Sequence, residues 1–294
     1  MATIDSSLLE ASMMAKLDRM ELVSRKIFRG RMKGERRSHR KGQSVEFADF
    51  RNYVPGDDLR FIDWNLFARL DRLYLKLFLE EEDLHLYVLI DDSRSMDFGS
   101  PTKLFVAKQI AAALGYIGLC RGDRVSLSTF NRMQPGIFRG RTSSVRMLQC
   151  LSDFESASES QSMAAAVKSF CMRNAQKGIV VLITDLMDKQ GYEAALRMLV
   201  ARDLDIFLIH LLSPEELQPD VKGDLKLIDC EDNDQREISV SSSLLKRYQQ
   251  TLSSFIDGAK SFCGKRSIAY VPARSDIAVE ELVEKYLRVR GLVR

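Results

Sequence analysis

Short apolar runs alternate with amphipathic segments along most of this chain. Runs rich in β-branched and aromatic residues are typical of strands buried on both faces of a parallel sheet. They occupy residues 84–90, 125–130, 179–184, 206–212 and 268–271, and residues 137–138 indicate a short edge strand. Apolar positions at helical spacing predict intervening helices over residues 104–119, 145–151, 163–175, 194–201, 244–262 and 279–289. The alternation predicts an α/β fold, a doubly wound, mostly parallel sheet with helices on both faces.

The remainder of the chain has a different pattern. Apolar residues near helical spacing predict an amphipathic helix over residues 7–28, followed by a basic loop broken by glycines. Residues 73–79 predict a strand, and two weak strand patterns near residues 220–240 predict a polar hairpin insertion. We therefore expect an N-terminal extension at residues 1–83 and an α/β domain at residues 84–294 that carries the insertion.

Composition and charge exclude several classes of protein. The 294 residues are 45% hydrophobic and 29% charged, close to the average of soluble globular proteins. The net charge of +3 is too small to indicate nucleic acid as the main partner. Five scattered cysteines without close pairs favour thiols in a reducing compartment, and no uncharged apolar run approaches the roughly 20 residues of a membrane span. We expect a cytoplasmic protein without direct membrane insertion.

Oxygen-bearing side chains follow two of the predicted strands. The strand at residues 84–90 is followed by Asp91, Ser93 and Ser95, and the strand at residues 179–184 is followed by Asp185. Ligands in open α/β sheets bind at the carboxyl ends of the strands. If the two strands are neighbours, both acids share one crevice. Hydroxyl and carboxylate oxygens are ligands that suit Mg²⁺ or Mn²⁺, so the pattern predicts a divalent-cation site.

The Asp91-x-Ser93-x-Ser95 sequence with Thr184-Asp185 resembles the metal-ion-dependent adhesion site of von Willebrand factor A domains. The resemblance implies that both serine hydroxyls bind the metal, and that Asp91 and Asp185 hold it directly or through water. A carboxylate of a partner protein would complete the coordination, because a site with few charged ligands leaves the cation electrophilic.

One position departs from that pattern. The family expects a threonine in the loop before the helix that starts near residue 163, and this chain has Gln161 there, between Ser160 and Ser162. Two interpretations follow: one of these serines supplies the missing hydroxyl, or the site is weakened. We include both serines among the metal ligands and assign Arg94, Gln161 and Asp188 to contacts with the partner.

A second resemblance covers the segment before the sheet. Its motifs are similar to those of a bacterial family, domain of unknown function fifty-eight, and comprise Gly34-Glu35-Arg36-Arg37-Ser38, Gly42, Glu46-Phe47, Arg51-x-Tyr53-x-Pro55-Gly56-Asp57-Asp58-x-Arg60-x-Ile62-Asp63-Trp64 and Ala68-Arg69. Genes of that family often neighbour those of MoxR-type AAA+ ATPases. The resemblance implies a protein that works with such an ATPase on a carboxylate-bearing client.

Three functions are compatible with these residues. The first is a non-enzymatic protein-binding module that uses the divalent cation. The second is a metal-dependent phosphoester hydrolase, but a phosphoaspartyl mechanism would require a second acid two positions after Asp91, where Ser93 stands. The third is a metal-free scaffold that binds through the N-terminal extension. We expect the first.

Overall fold

The chain forms two compact units in its computed structural model. The structure describes residues 8–24, 46–79, 84–132, 136–157, 161–174, 176–202, 204–229 and 234–294. Contacts within the chain separate residues 27–83 from a larger unit that contains the remaining residues. Residues 8–24 therefore belong with the α/β domain and not, as predicted from the sequence, with the extension. Ser160, one of the predicted metal ligands, lies outside the described residues.

The elements follow the predicted alternation. The strands are β1 (Glu46–Asn52), β2 (Tyr74–Leu79), β3 (His85–Ile90), β4 (Arg124–Thr129), β5 (Gly136–Arg139), β6 (Ile179–Thr184), β7 (Asp205–Leu212), β8 (Gly223–Ile228), β9 (Gln235–Val240) and β10 (Ala269–Arg274). The helices are α1 (Ala11–Leu17), α2 (Trp64–Leu70), α3 (Lys103–Cys120), α4 (Ser144–Ser152), α5 (Met163–Arg173), α6 (Glu193–Val200), α7 (Pro214–Leu217), α8 (Ser242–Gly264) and α9 (Val279–Glu281), which continues as a π-helical segment (Leu282–Leu287). Short 3-10 turns lie at Leu59–Phe61, Arg94–Asp97 and Arg141–Ser143.

The central sheet has the strand order β10-β7-β6-β3-β4-β5. All neighbouring strands are parallel except β4 and β5, which are antiparallel. The first strand of this sheet along the chain, β3, has β4 on one side and β6 on the other, so the strand order reverses between β3 and β6. This reversal is the topological switch point at which open α/β sheets bind ligands, and the predicted fold class is confirmed.

Both faces of the sheet are covered by helices. On one face, Tyr87, Leu89, Val180 and Leu182 join a buried apolar cluster with residues of α5, α6 and α8. The intervening strand residues point to the other face, and α3 packs against β3, β4 and β7. Because β3, β6 and β7 are buried on both faces, the polar residues just beyond their ends are held on a rigid base.

Helix α3 is also apolar enough and long enough to cross a membrane, judged by length and composition alone, and 78% of it is buried within the protein. The core helix of a soluble protein has the same properties. Its apolar character is accounted for by its position against the sheet, where both its outer and inner surfaces contact other parts of the unit.

The smaller unit is built on an antiparallel pair of strands, β1 and β2, in which Asn52 lies opposite Tyr74. The Pro-Gly-Asp motif forms the turn after β1, where Asp57 accepts hydrogen bonds from Arg51 at 2.7 Å and from the Val54 amide at 2.9 Å. Asp63 caps α2 through the amides of residues 65 and 66. The family motifs in this part of the chain therefore include residues that shape turns and helix ends.

The N-terminal helix differs from the prediction, whereas the polar hairpin matches it. The predicted helix over residues 7–28 is much shorter, because α1 ends at Leu17 and Leu22 then pairs antiparallel with Val293. Residues 25–28 of that prediction lie outside the described residues. Strands β8 and β9 pair antiparallel as a separate two-stranded sheet, which is the hairpin predicted near residues 220–240.

Candidate functional site

The ends of β3 and β6 bring Asp91 beside Thr184. Ile90 is paired with Ile183, and the next amide, that of Asp91, donates to the Ile183 carbonyl at 2.9 Å. The Thr184 hydroxyl donates to Oδ2 of Asp91 at 2.6 Å, and the Ser93 amide donates to Oδ1 at 3.0 Å. Both carboxylate oxygens of Asp91 are thus oriented by fixed donors at the switch point.

Ser93 and Ser95 form a pair of hydroxyls next to this carboxylate. Their Oγ atoms are hydrogen-bonded to each other at 3.0 Å, at the start of the 3-10 turn Arg94–Asp97 that follows the strand. Two oxygen ligands on adjacent corners of a Mg²⁺ octahedron, each about 2.1 Å from the ion, would also be about 3.0 Å apart. The spacing of the two hydroxyls therefore fits a shared divalent cation, with Asp91 as the adjacent carboxylate.

The predicted ligand Asp185 has a different partner. It is buried, its Oδ1 accepts from the Met187 amide at 3.0 Å, and its Oδ2 lies 2.7 Å from Nζ of Lys103. Lys103 is the first residue of α3 and is completely buried. Its ammonium also contacts Glu216 of α7. Asp185 and Lys103 thus form a buried ion pair beside the switch point, extended by a second carboxylate.

The charges around the switch point shift the proton affinities of their neighbours. Burial, and then repulsion from the nearby Asp185, raise the pKa of the Asp91 carboxyl. Burial lowers the pKa of the Lys103 ammonium, but the attraction of Asp185 and Glu216 outweighs it, so its pKa is raised overall. The two carboxylates thus favour the charged form of Lys103, whereas burial beside Asp185 disfavours the charged form of Asp91.

A buried histidine holds the backbone of Asp185. His210 Nε2 lies 3.0 Å from the Asp185 carbonyl oxygen, and its Nδ1 lies 2.6 Å from the Tyr270 hydroxyl. A neutral ring that donates from Nε2 and accepts at Nδ1 satisfies both contacts. Burial lowers the pKa of His210 to about 4, which agrees with a neutral ring. Leu186, the residue after Asp185, has a φ of 61°, a strained conformation for a leucine.

The loops around the site are joined by Asn131, which follows β4. Its amide nitrogen Nδ2 donates to Asp92 at 2.9 Å, and its Oδ1 accepts from the Gln161 amide at 3.2 Å. Gln161 therefore reaches the strand ends through its backbone, and its side chain is half-buried. The loop that carries the departure from the adhesion-site pattern is held in place by these contacts.

The other predicted site residues have defined structural contacts. Ser162 caps α5, where its hydroxyl accepts from the Ala165 amide at 3.3 Å. Asp188 accepts from the Met163 amide at 2.6 Å and from the Gln190 amide at 2.7 Å. Both of its oxygens thus have a structural role. Arg94 is half-buried within the 3-10 turn.

Lys103 and Asn131 were not predicted as functional residues, and Thr184 was named only as part of the adhesion-site motif. Lys103 had a usable signal in the sequence, because a lysine at the start of an apolar helix must be paired if it is buried. The contacts of Asn131 join loops far apart in the chain and left no local pattern.

Across the described ranges of the chain, no group of three or more His, Cys, Asp or Glu side chains could hold a metal ion.

The strand order, the antiparallel edge strand and the Asp-x-Ser-x-Ser loop at the switch point define an α/β protein of the von Willebrand factor A type. Residues 49–254 match the family described as Protein of unknown function DUF58, and the chain belongs to that family. It is 27% identical over 238 residues to Uncharacterized protein Rv1480 of Mycobacterium tuberculosis H37Rv, covering 78% of this chain and 74% of that protein. Uncharacterized protein Mb1516 of Mycobacterium bovis has the same identity and coverage.

Three solved structures are similar to parts of this chain at low TM-scores. The conserved hypothetical protein BatB of Bacteroides thetaiotaomicron has a TM-score of 0.42 and 13% identity, over 70% of this chain and 98% of that one. The SpRpn10 VWA domain has a TM-score of 0.38 and 13% identity, over 69% and 94%. The manganese-loaded TRAP protein of Plasmodium vivax has a TM-score of 0.30 and 24% identity, over 44% and 57%.

Proposed function

We propose that this chain is a protein-binding module that holds a carboxylate of a partner protein through a divalent cation, Mg²⁺ or Mn²⁺. Asp91, Ser93 and Ser95 would hold the cation, which would supply a metal-dependent contact to the partner. The module is not an enzyme in this proposal. It works in the cytoplasm with a MoxR-type AAA+ ATPase on a carboxylate-bearing client, as the family resemblance implies.

The observation that carries the proposal is the pair of hydroxyls beside Asp91. Ser93 Oγ and Ser95 Oγ lie 3.0 Å apart, and both follow a strand end at the switch point. Neutral hydroxyls do not cancel the charge of a cation. A divalent ion held by one carboxylate and two hydroxyls retains positive charge, so a carboxylate from outside would bind it strongly.

The surface around these strand ends favours a protein as the partner. Phe98 is 50% exposed, Phe105 is 36% exposed and Met187 is 40% exposed. Phe98 follows the 3-10 turn of the site, and Phe105 lies in the first turn of α3. The backbone amide of Met187 donates a hydrogen bond to the Asp185 carboxylate. Exposed aromatic residues and methionine are enriched at protein interfaces, so apolar contacts would surround the polar one.

The phosphoester hydrolase is less favoured by these residues. Position 93 carries a hydroxyl instead of the acid that a phosphoaspartyl mechanism needs. Oδ2 of Asp91 already accepts from Thr184, and its Oδ1 accepts from a backbone amide. These bonds suit a fixed ligand better than an attacking nucleophile.

The metal part of the proposal is tested by calorimetric titration with Mn²⁺ after treatment with a chelator. The wild type is compared with the double variant Ser93→Ala/Ser95→Ala and with Ser253→Ala, whose serine lies on the exposed surface of α8. We expect saturable binding by the wild type and by the control, and at least a tenfold loss in the double variant. Equal binding by all three proteins would contradict the proposal.

The partner part requires a second experiment. Binding to the MoxR-type ATPase of the same organism, alone and with its client, is measured with Mg²⁺ and with chelator. We expect binding that is lost with the chelator and in the Ser93→Ala/Ser95→Ala variant. Binding that survives both changes would instead support the metal-free scaffold.

A further inference from the structure

A lysine ammonium is fully enclosed at the switch point. Lys103 Nζ lies 2.7 Å from Asp185 Oδ2 and also contacts Glu216 Oε1, and the lysine side chain has no exposed surface. Lysine is almost never fully buried unless it is paired. The contact joins the start of α3 to the end of β6 and to α7, so it is formed by three segments that are distant in the sequence.

We propose that the Lys103 ammonium is the counter-ion of Asp185, and that Asp185 is therefore a positioning residue and not a ligand of the divalent cation. This inference rests on the proposed function for the existence of a divalent-cation site. The ion pair between Lys103 and Asp185 exists without any metal. The cation site then has Asp91 as its single carboxylate. This differs from the ligand set expected from the sequence resemblance, in which Asp185 also held the metal.

The hydrogen bonds of Asp185 support this assignment. Its Oδ2 is taken by the ammonium and its Oδ1 by the Met187 amide, while its carbonyl accepts from the His210 ring. Recruiting this carboxylate to a metal would leave a buried lysine with one partner instead of two. Removing a partner from a buried charge is much more costly than breaking a surface ion pair.

Glu216 completes the group from its outer side. Its Oε2 accepts from the Ser213 amide at 2.7 Å in a capping box, and its side chain is partly exposed. Lys103, Asp185 and Glu216 together carry one excess negative charge. It lies on Glu216, the carboxylate that water can reach. Asp185, which is buried, is compensated by the ammonium.

The charge balance has a consequence for the partner. Asp91 cancels one of the two charges of a bound Mg²⁺ or Mn²⁺, and Lys103 prevents Asp185 from cancelling the other. One positive charge remains on the cation together with Asp91, which matches one carboxylate from a partner protein. Lys103 thus sets the specificity of the site for an acidic side chain.

The first test compares Mn²⁺ affinity in the wild type, Asp91→Asn and Asp185→Asn by calorimetry, with folding checked by circular dichroism. We expect Asp91→Asn to lose at least tenfold in affinity and Asp185→Asn to remain within threefold of the wild type. A folded Asp185→Asn protein that loses as much affinity as Asp91→Asn would overturn the inference. If Asp91→Asn alone leaves affinity unchanged, the proposed function fails, while the ion pair is judged by the second test.

The second test uses metal-free protein. Urea midpoints are measured for Asp185→Asn in the wild-type background and in the Lys103→Met background. We expect the substitution to lower the midpoint in the wild type and to raise it in Lys103→Met, where the carboxylate has lost its cation. Equal lowering in both backgrounds would overturn the inference.

The Lys103→Met chain is the variant at risk of not folding. The ¹⁵N resonance of the Lys103 ammonium therefore supplies a readout in the wild type and in Asp185→Asn, with Lys103→Arg used for its assignment. We expect a slowly exchanging ammonium signal in metal-free wild type that shifts in Asp185→Asn. An ammonium signal that is identical in the two proteins would contradict the ion pair.

Discussion

The hydroxyl of Thr184 donates to Oδ2 of Asp91 over 2.6 Å, between two strands whose order reverses at this point. The same hydroxyl accepts from the Leu186 amide at 3.0 Å. Thr184 therefore orients the carboxylate at the end of one strand and the backbone that leaves the other. It links the two strand ends that the sequence predicted to meet.

Replacement of Thr184 by valine removes this link without a large change in volume. It leaves a buried carboxylate oxygen and a backbone amide without their partner, which costs about 1–3 kcal/mol. We expect a loss of that size in the free energy of unfolding by urea, together with weaker Mn²⁺ binding. Thr184→Ser, which keeps the hydroxyl, is the control. Equal effects of the two substitutions would argue against the hydrogen bond as the cause.

The stability of the protein should depend on the protonation of His210. Burial lowers its pKa to about 4 in the folded protein, compared with about 6.5 in an unfolded chain. The unfolded state therefore binds a proton first as the pH falls, and the contribution of His210 is present above about pH 6.5 and is lost on the way to pH 4. A difference of this size corresponds to about 3 kcal/mol.

This dependence is isolated by comparing the wild type with His210→Gln at a series of pH values. The difference between the two proteins is needed because Asp91 also titrates. Its pKa is raised in the folded protein, so its contribution to the free energy of unfolding falls as the pH rises, opposite to that of His210. We expect the destabilisation caused by His210→Gln to shrink by about 2–3 kcal/mol between pH 7.5 and pH 4.5. A constant difference across this range would contradict a neutral, buried ring.

Gly178, just before β6, permits a close approach of two backbones. A Cβ atom at this position would lie 2.1 Å from the His85 carbonyl oxygen, which is a backbone atom and cannot turn away. We expect Gly178→Ala to lower the free energy of unfolding by about 2–4 kcal/mol, the range of strongly strained substitutions. Thermal and urea unfolding would measure it.

Gly258 provides the matched control on α8. A Cβ atom there would meet only the Tyr192 hydroxyl, at 3.9 Å, and alanine is favoured over glycine within a helix by about 0.5–1 kcal/mol. We expect Gly258→Ala to stabilise the protein by that amount. Opposite signs for the two Gly→Ala substitutions are the outcome that supports the described packing.

A bound divalent cation should also stabilise the folded chain. A ligand at tenfold its dissociation constant adds about 1.4 kcal/mol to the free energy of unfolding if it binds only the folded state. We expect Mn²⁺ to raise the melting temperature of the wild type and of Ser253→Ala, and chelator to reverse the change. A similar rise in the Ser93→Ala/Ser95→Ala variant would place the stabilising ion elsewhere.

The sequence was sufficient for the sheet and for the meeting of its strand ends. Fully apolar runs such as β6 identify strands covered on both faces, and parallel strands all end at the same edge. The β1 strand was not predicted, since its residues, among them Asp49 and Arg51, lack a strand-like apolar pattern. The length of α1 was wrong because apolar spacing continues past Leu17 although the chain turns to pair with the C-terminal segment.

The partners of the site residues were less predictable. Asp185 was identified from its place after a strand, but its bond to Lys103 spans 82 positions in the chain. That contact depends on where α3 starts relative to the sheet, which helical spacing alone does not define. The roles of Ser162 and Asp188 at the start of α5 likewise depend on loop geometry.

The most direct test of the cation site is a crystal structure of the protein grown with Mn²⁺, with anomalous scattering used to locate the ion. We predict a manganese peak bonded to Ser93 Oγ and Ser95 Oγ, next to Asp91, with Lys103 still on Asp185. A manganese ion bonded to Asp185 with the lysine displaced would contradict the ligand set. A peak at other residues, with these hydroxyls unbound at saturating Mn²⁺, would contradict the cation site itself.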